Sequence, residues 1–398
     1  MKRGFPPEEF EARWERLSSA MTEVRLDAIL VSTESNFGYI SGFASQTWVS
    51  PTRPRYLILP RRAAPVAVVP TSNAQGMLAT TPVMDVRTWQ APNPEDDGLS
   101  LVAAAVREVA TTYGAVGTEM GPESRLGFPA ADFLRLIEAI RPIEMKDASR
   151  MLQRLRMIKS PREIEKIRTV ASIASDCFDR LPALCVGRQS TRELCRTLHA
   201  ELIRCGSDKA PYVVGEAGFG GYETVMMGPD DRVLASGDLV FIDTGAVYDG
   251  YFCDFDRHYG VGYVAPEARR AYDAVYRATE AGLAAAVPGK ALSEVWRAMA
   301  DSLATAPDLE PTYIGRMGHG IGLNHTEPPS VNAVDPTVLE PGLVFTLEPS
   351  ARYEVAEAPG RRKLMVHEEN VVVTETGVQL LSRRAAPEIP LLAFDERP

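Results

Sequence analysis

Two spacings of apolar residues alternate along the first third of the chain. In "PPEEFEARWERLSSAMTEV", Phe10, Trp14, Leu17 and Met21 share one helical face. "LDAILVST", "YLILP" and "PVAVVP" are short β-branched or Leu-rich runs closed by Pro or polar residues, as strands are. "LSLVAAAVREVATTYG" predicts a helix that stops at Gly114. The long charged segment "SRMLQRLRMIKSPREIEKIRTVASIASDCF" predicts a long helix, with a helix start at Ser160-Pro161 and Glu163 just inside it. A domain junction is therefore placed near 150–160. Beyond it, "PEARRAYDAVYRATEAGLAAAV" and "LSEVWRAMADSLATA" are amphipathic helices, and 211–262 and 343–374 are β-rich.

The segment "DLVFIDTGAVYDGYFCDFDRHYGVG" says most about chemistry. Two alternating runs flank Asp249-Gly250, a strong hairpin signal. A two-residue loop there sets Tyr248 against Tyr251 and Gly245 against Asp254. Asp243 then shares a face with Asp254 as a diagonal neighbour, roughly 7–8 Å away at the backbone, and Asp256 sits opposite Asp243. The opposite face is expected to carry Phe241, Phe252 and Phe255 among its neighbours, so the hairpin reads as buried. Buried carboxylates on one face repel unless a cation lies between them, which points to one or two divalent metals. A solvated polar face is the bland alternative.

Further candidate ligands lie downstream. Glu348 stands in the apolar run "GLVFTLEPS", and Glu368 and Glu369 precede a β-branched run in "KLMVHEENVVVTETG". His319 is framed by glycines in "GHGIGLNHTEPP". One imidazole with several carboxylates suits Mn²⁺, Fe²⁺, Co²⁺ or Zn²⁺ in a two-metal site better than a structural zinc. Two such ions lower the pKa of a bridging water and polarise a carbonyl.

Composition narrows the class without naming it. The 398 residues are 45% hydrophobic and 24% charged, long enough for two or three domains. A formal charge of −10 argues against a general nucleic-acid or anionic-membrane binder. No apolar run approaches the roughly 20 residues of a membrane span, and the N-terminus lacks an apolar signal-peptide core, so a cytoplasmic location is expected. Cys177, Cys185, Cys195, Cys205 and Cys253 form no CxxC pair and read as reduced, packed thiols.

Taken together, "SNFGYISGF", "RMIKSPREIEKIR", "IDTGAVYDGYFCDFDR", "GHGIG", "TLEPS" and "EENVVVTETG" resemble, in order, the pita-bread metallohydrolases: prolidase, Xaa-Pro aminopeptidase, methionine aminopeptidase and creatinase. The resemblance implies an α/β creatinase-type N-terminal domain over 1–152 and an α+β pita-bread catalytic domain over 153–398. It implies two divalent ions held by Asp243, Asp254, His319, Glu348 and Glu368, with Asp254 and Glu368 bridging, and names manganese among the candidates. Asp256 falls where the family usually has a hydroxyl residue and is an unassigned extra acid. Glu369 reads as structural support beside the bridging glutamate. Glu348, His325 and Thr326 are the catalytic candidates; Arg53, Trp48 and Tyr222 are the substrate-binding ones. Arg53, in "WVSPTRPRYLIL", matches the creatinase segment that enters a neighbouring subunit and holds a substrate carboxylate, as a guanidinium does well. A homodimer follows as an expectation; the alternative is a surface arginine at a Pro turn.

Two departures stand against that match. Peptidases of the family keep a His about eleven residues before the glycine that leads into the first ligand strand; Met226 stands there. They keep another seven residues after the ligand His; Thr326 stands there, with His325 one position early. Both histidines assist peptide hydrolysis. The expected activity is therefore a metal-dependent hydrolase of the Xaa-Pro peptidase and creatinase kind, acting on a small carboxylate-bearing or dipeptide substrate. Open beside it is a non-peptidase enzyme: a C–N hydrolase like creatinase or ectoine hydrolase, or a lyase like the dimethylsulfoniopropionate enzyme. Gly245 stands where that lyase has an extra Asp, and this chain keeps ligands that creatinase lacks. A binding protein on a dead scaffold is disfavoured by the five retained ligands.

Overall fold

The computed structural model of the chain describes residues 3–185, 189–226, 228–312 and 315–392. The chain divides into two units, Met1–Arg156 and Met157–Pro398.

In the first unit, β1 (Ala28–Val31), β2 (Tyr56–Pro60), β3 (Val66–Pro70), β4 (Asp85–Trp89), β5 (Ala115–Thr118) and β6 (Glu144–Asp147) form one mixed sheet in the order β4-β3-β2-β1-β5-β6. The three runs read as strands are β1 to β3, and all of their residues are buried. The helix Pro7–Glu23 buries Phe10, Leu17 and Met21 as its spacing predicts, but Arg13 completes that face where Trp14 was expected. Arg13 is tolerated inside because it donates to Tyr39 O at 2.9 Å and Glu9 Oε1 at 3.3 Å. The helix expected to run to Gly114 spans only Leu99–Val109. Its stop is set from outside: Asp27 Oδ2 accepts from the N–H groups of Thr112, Tyr113 and Gly114 and holds them in a turn before β5.

The charged helical segment is two helices, Ser149–Met157 and Pro161–Leu184. Ser160 caps the second, accepting from Glu163 N while the Glu163 side chain accepts from Ser160 N, so the break falls where the start signal lay. The second unit's strands are β7 (Lys209–Phe219), β8 (Asp238–Tyr248), β9 (Tyr251–Phe252), β10 (Phe255–Val261), β11 (Glu310–Pro311), β12 (His319–Gly320), β13 (Glu327–Ser330), β14 (Val344–Leu347), β15 (Ser350–Glu354), β16 (Arg362–Val366), β17 (Glu369–Val373), β18 (Val378–Leu380) and β19 (Leu391–Leu392). Two five-stranded sheets matter for function. One has the path β19-β10-β8-β7 with β9 on β8, and the other the order β13-β12-β14-β17-β18. The amphipathic helices Pro266–Ala285 and Leu292–Ala304 pack Val275, Ala278, Val295 and Met299 into a core shared with Phe345, Leu347 and Val371.

The hairpin has the predicted register. Tyr248 pairs with Tyr251, and Asp243 with Asp256. Asp249 and Gly250 take φ of 52° and 87°, the left-handed pair that a two-residue hairpin turn needs. One expectation fails: Phe241 pairs with His258 and Phe252 with Val247, which puts both phenylalanines on the carboxylate face and leaves Phe255 on the other. Strand parity decides this, since 241 and 243 point the same way.

Gly318 is a close-approach glycine. Its φ is 133°, and a Cβ there would lie 2.0 Å from Thr346 O, a backbone atom that cannot yield. Gly318→Ala is expected to cost at least about 2 kcal/mol, read as a lower midpoint in thermal or urea unfolding; an unchanged midpoint would show that β12 is not held this tightly.

Candidate metal centre

Three side chains from separate parts of the chain, Asp254, His319 and Glu368, converge where the two large sheets meet, and Asp243 and Glu348 lie near enough to act on them. Asp243 is on β8. Asp254 lies in the gap between β9 and β10, where its N–H leaves the hairpin and donates to Asn370 Oδ1 at 3.0 Å. Asn370 Nδ2 returns a bond to Asp254 O, so one amide ties the first sheet to β17 of the second. His319 opens β12, with its N–H on Thr346 Oγ1 at 3.2 Å. Glu348 follows β14, its N–H bonded to Met317 O at 2.9 Å, and Glu368 immediately precedes β17. Leu347 pairs with Glu369, which sets Glu348 and Glu368 at the same end of that ladder.

Asp254, His319 and Glu368 are all buried and bring one ligand atom each within 4.8 Å of one another. His319 Nε2 is 3.6 Å from Asp254 Oδ2 and 3.7 Å from Glu368 Oε1. The other ring nitrogen, Nδ1, is 3.0 Å from Gly320 O and must carry the proton to bond it. Burial, and then the charge of Arg316, lower the His319 pKa to about 4, so the ring is neutral and turns a lone pair toward two carboxylates. Two carboxylates facing a ring lone pair are an arrangement that a proton or a cation resolves.

The carboxylates show the same frustration. Burial pushes Asp243 up to about 7; burial and then the charge of Asp243 do the same to Glu348. Asp254 and Glu368 lie well above the ordinary range, first through burial and then through Asp243 and Asp254 respectively. Buried Asp243 Oδ1 and Glu368 Oε1 have no hydrogen-bond partner. This oxygen-rich set with one imidazole fits hard or borderline divalent ions.

Two site residues were not anticipated from the sequence. The Tyr212 hydroxyl donates to Asp254 Oδ1. Its ring fills the space over Gly245, where a Cβ would come within 2.2 Å of Tyr212 Cε1. A side chain at 245, such as the extra Asp of the lyase pattern, would have to displace the Tyr212 ring. Arg316 is the nearby cation acting on Asp254, Glu348, His319 and His325. Its one signal was a basic residue just before "MGHG"; Tyr212, in "APYVVG", carried none.

The remaining candidates fall in several places. His325 is exposed at one edge, with its ring 5.6 Å edge-on to Tyr212 and 6.0 Å from Phe252. Thr326 is half-buried, and Met226 is 83% exposed. Tyr222 was expected to bind substrate, but it is 1% exposed and its hydroxyl is spent on His258 Nε2 at 2.8 Å and Val366 N at 2.9 Å. It is a core residue. Glu369, fully buried, accepts from Arg257, Arg384, Ser382 and the Ala385 N–H and supports Glu368 from behind. In the first unit, Trp48 is half-buried, 5.1 Å from Phe37, with the Arg55 guanidinium 4.9 Å over its ring. Arg55 is itself fixed on Asn73 and Thr47, whereas Arg53 is exposed at φ 62°.

A creatinase-type α/β unit joined to a unit whose two sheets converge on one imidazole and four carboxylates is the architecture of the pita-bread metallohydrolases. The chain belongs to metallopeptidase family M24, whose model matches residues 165–375, and residues 13–158 match the creatinase/prolidase N-terminal domain. It is a metal-dependent hydrolase of that family. The "Probable dipeptidase PepE" of Mycobacterium tuberculosis is 28% identical over 94% of this chain and 95% of its own length. The "Uncharacterized peptidase YqhT" of Bacillus subtilis is 25% identical over 91% and 95%. Among solved structures, dipeptidase PepE from Mycobacterium ulcerans superposes with a TM-score of 0.80 at 26% identity, covering 98% of this chain and 99% of that one. A prolidase from Thermococcus sibiricus, at 22% identity, shares the fold with a TM-score of 0.82 over 96% and 99%. No helix among the described residues is long and apolar enough to cross a membrane.

The raised carboxylates make metal-free stability depend on pH. Near pH 5 to 7 the folded metal-free chain holds protons on Asp243 and Glu348 that the unfolded chain, with ordinary values of 3.8 and 4.5, has released. That contribution is complete below about pH 4 and is lost as pH rises through about 7. Chelator-stripped protein should therefore melt at falling temperature from pH 5 to pH 8, and excess Co²⁺ or Mn²⁺ should flatten the profile. Parallel profiles with and without metal would mean that these groups do not hold it.

Proposed function

We propose that the chain holds two divalent ions at Asp243, Asp254, His319, Glu348 and Glu368 and hydrolyses a small carboxylate-bearing dipeptide of the Xaa-Pro kind. The observation that carries this is the neutral His319 lone pair facing Asp254 and Glu368 among buried, unpartnered carboxylate oxygens, in a chain of family M24. Bound ions there supply a water nucleophile near neutral pH and polarise a carbonyl. The chain's own groups do the rest. Tyr212 locks Asp254 in one orientation through its hydroxyl. Glu348, half-buried at the end of β14, is placed to take the proton from the attacking water. Arg316 sets a positive charge beside the site, where developing negative charge gains from it. His325, kept neutral by partial burial of its ring and by Arg316, offers a hydrogen-bonding nitrogen beside Tyr212 in place of the family's His at 326. The exposed Arg53 of a second copy is the group we assign to the substrate carboxylate, with Trp48 beside it in the same segment.

A second reading has its own support. Met226 and Thr326 stand where peptidases of the family keep histidines, which favours C–N hydrolysis or elimination on a small substrate over peptide hydrolysis. Metal-loaded protein assayed on Xaa-Pro dipeptides separates the two. Turnover at about 1 s⁻¹ or faster supports the dipeptidase. No turnover in wild type, together with its appearance in Met226→His/Thr326→His, supports the second reading.

For Arg53→Ala, KM for the true substrate should rise at least about tenfold, the loss of one charged contact, with an unchanged melting temperature. An unchanged KM would remove Arg53 from substrate binding.

A further inference from the structure

Directly across the strand pair from Asp243 stands a carboxylate to which none of the roles above is assigned. Asp256 is 1% exposed, and neither of its oxygens has a hydrogen-bond partner. It lies on the Asp243 face of the hairpin, two residues beyond Asp254, and so turns inward with both. Its charge and those of Asp243, Glu348 and Glu368 act on one another. A buried carboxylate with two orphaned oxygens costs several kcal/mol unless a cation or donor meets it.

Two residues beyond Asp256 on the same face of β10, on the side away from Asp254, stands a group of known orientation, His258. The Tyr222 hydroxyl accepts from Val366 N–H at 2.9 Å, which leaves its own proton for His258 Nε2 at 2.8 Å. Burial drives the His258 pKa down to about 3, so the ring is neutral. With Nε2 accepting, the single ring proton sits on Nδ1, 3.7 Å from Asp256 Oδ1. Tyr222 and His258 thus form a buried relay that presents an N–H toward Asp256. Donors placed behind carboxylates in this way orient metal ligands.

We infer that Asp256 is a sixth protein ligand of the metal centre, bonding the ion on the Asp243 side and steadied by the His258 Nδ1–H. The inference rests on the two-metal reading above. It gives the centre five carboxylates, one negative charge more than two divalent ions neutralise. Its consequence is tighter retention of the Asp243-side ion than four carboxylates and one imidazole provide. It also gives Tyr222 and His258 a purpose: both are positioning residues acting through Asp256.

The test uses full-length chain stripped with chelator and dialysed against buffered Co²⁺, for wild type, Asp256→Asn and Asp256→Thr. Bound cobalt is measured by atomic absorption, the ligand field by visible absorption, and stability by melting each form with and without cobalt. Wild type should bind two ions. Both variants should hold one of the two at least about tenfold more weakly and show an altered visible band for that ion. Metal-free Asp256→Asn should melt no lower than metal-free wild type, since a buried acid with two unpartnered oxygens has been replaced by a neutral amide, but should gain less on adding cobalt. Two ions bound with unchanged affinity and spectrum in both variants would overturn the inference. So would an equal drop in melting temperature with and without metal, which marks a purely structural residue. Failure of wild type to take up two ions would instead sink the two-metal reading, and Asp256 as its ligand with it.

Discussion

Mutual repulsion among buried acceptors governs this structure. His319 is held neutral with its Nε2 lone pair toward Asp254 and Glu368, and Asp243, Asp256 and Glu348 crowd the same region. Left to themselves, these groups would part or take up protons. They stay because the surrounding backbone over-determines them. The Asn370 amide stitches the Asp254 loop to β17, Gly318 brings β12 against Thr346, and Tyr212 clamps Asp254 from above. A cation bound there would relieve this unfavourable electrostatics, and metal binding and folding stability would then be one linked equilibrium.

The protein spends charged groups behind the site with the same economy. Glu369 sits beside Glu368 yet takes no part in the cluster, because Arg257, Arg384, Ser382 and the Ala385 N–H use its oxygens. Asp256 contrasts with it: equally buried, it has no such partners. That difference in satisfaction, between two acids equally hidden from water, separates a supporting residue from one still seeking a cation.

Much of the hairpin's geometry is legible in the sequence. The Asp249-Gly250 turn and strand parity alone place Asp243, Asp254 and Asp256 on one face, because a two-residue hairpin admits one register. The capping box at Ser160 likewise marks a helix start by local chemistry. Other readings failed where the deciding partner was distant. Arg13 replaced Trp14 on the buried helix face because Tyr39 O waits there, and the helix short of Gly114 was ended by Asp27. Tyr222 lost its expected place at the substrate because its hydroxyl is consumed by His258 and Val366.

The sequence by itself determined the two kinds of element and the hairpin register, and it brought forward five candidate metal-binding side chains, since each depends on neighbours a few residues apart or on a motif of fixed spacing. Only the tertiary structure decided which atoms face one another. The neutral tautomer of His319, the hydroxyl of Tyr212 over Gly245, the charge of Arg316 and the orphaned oxygens of Asp256 all arise where strands far apart in the chain meet. Hydrogen-bond satisfaction and burial are properties of that meeting, and no spacing along one strand encodes them.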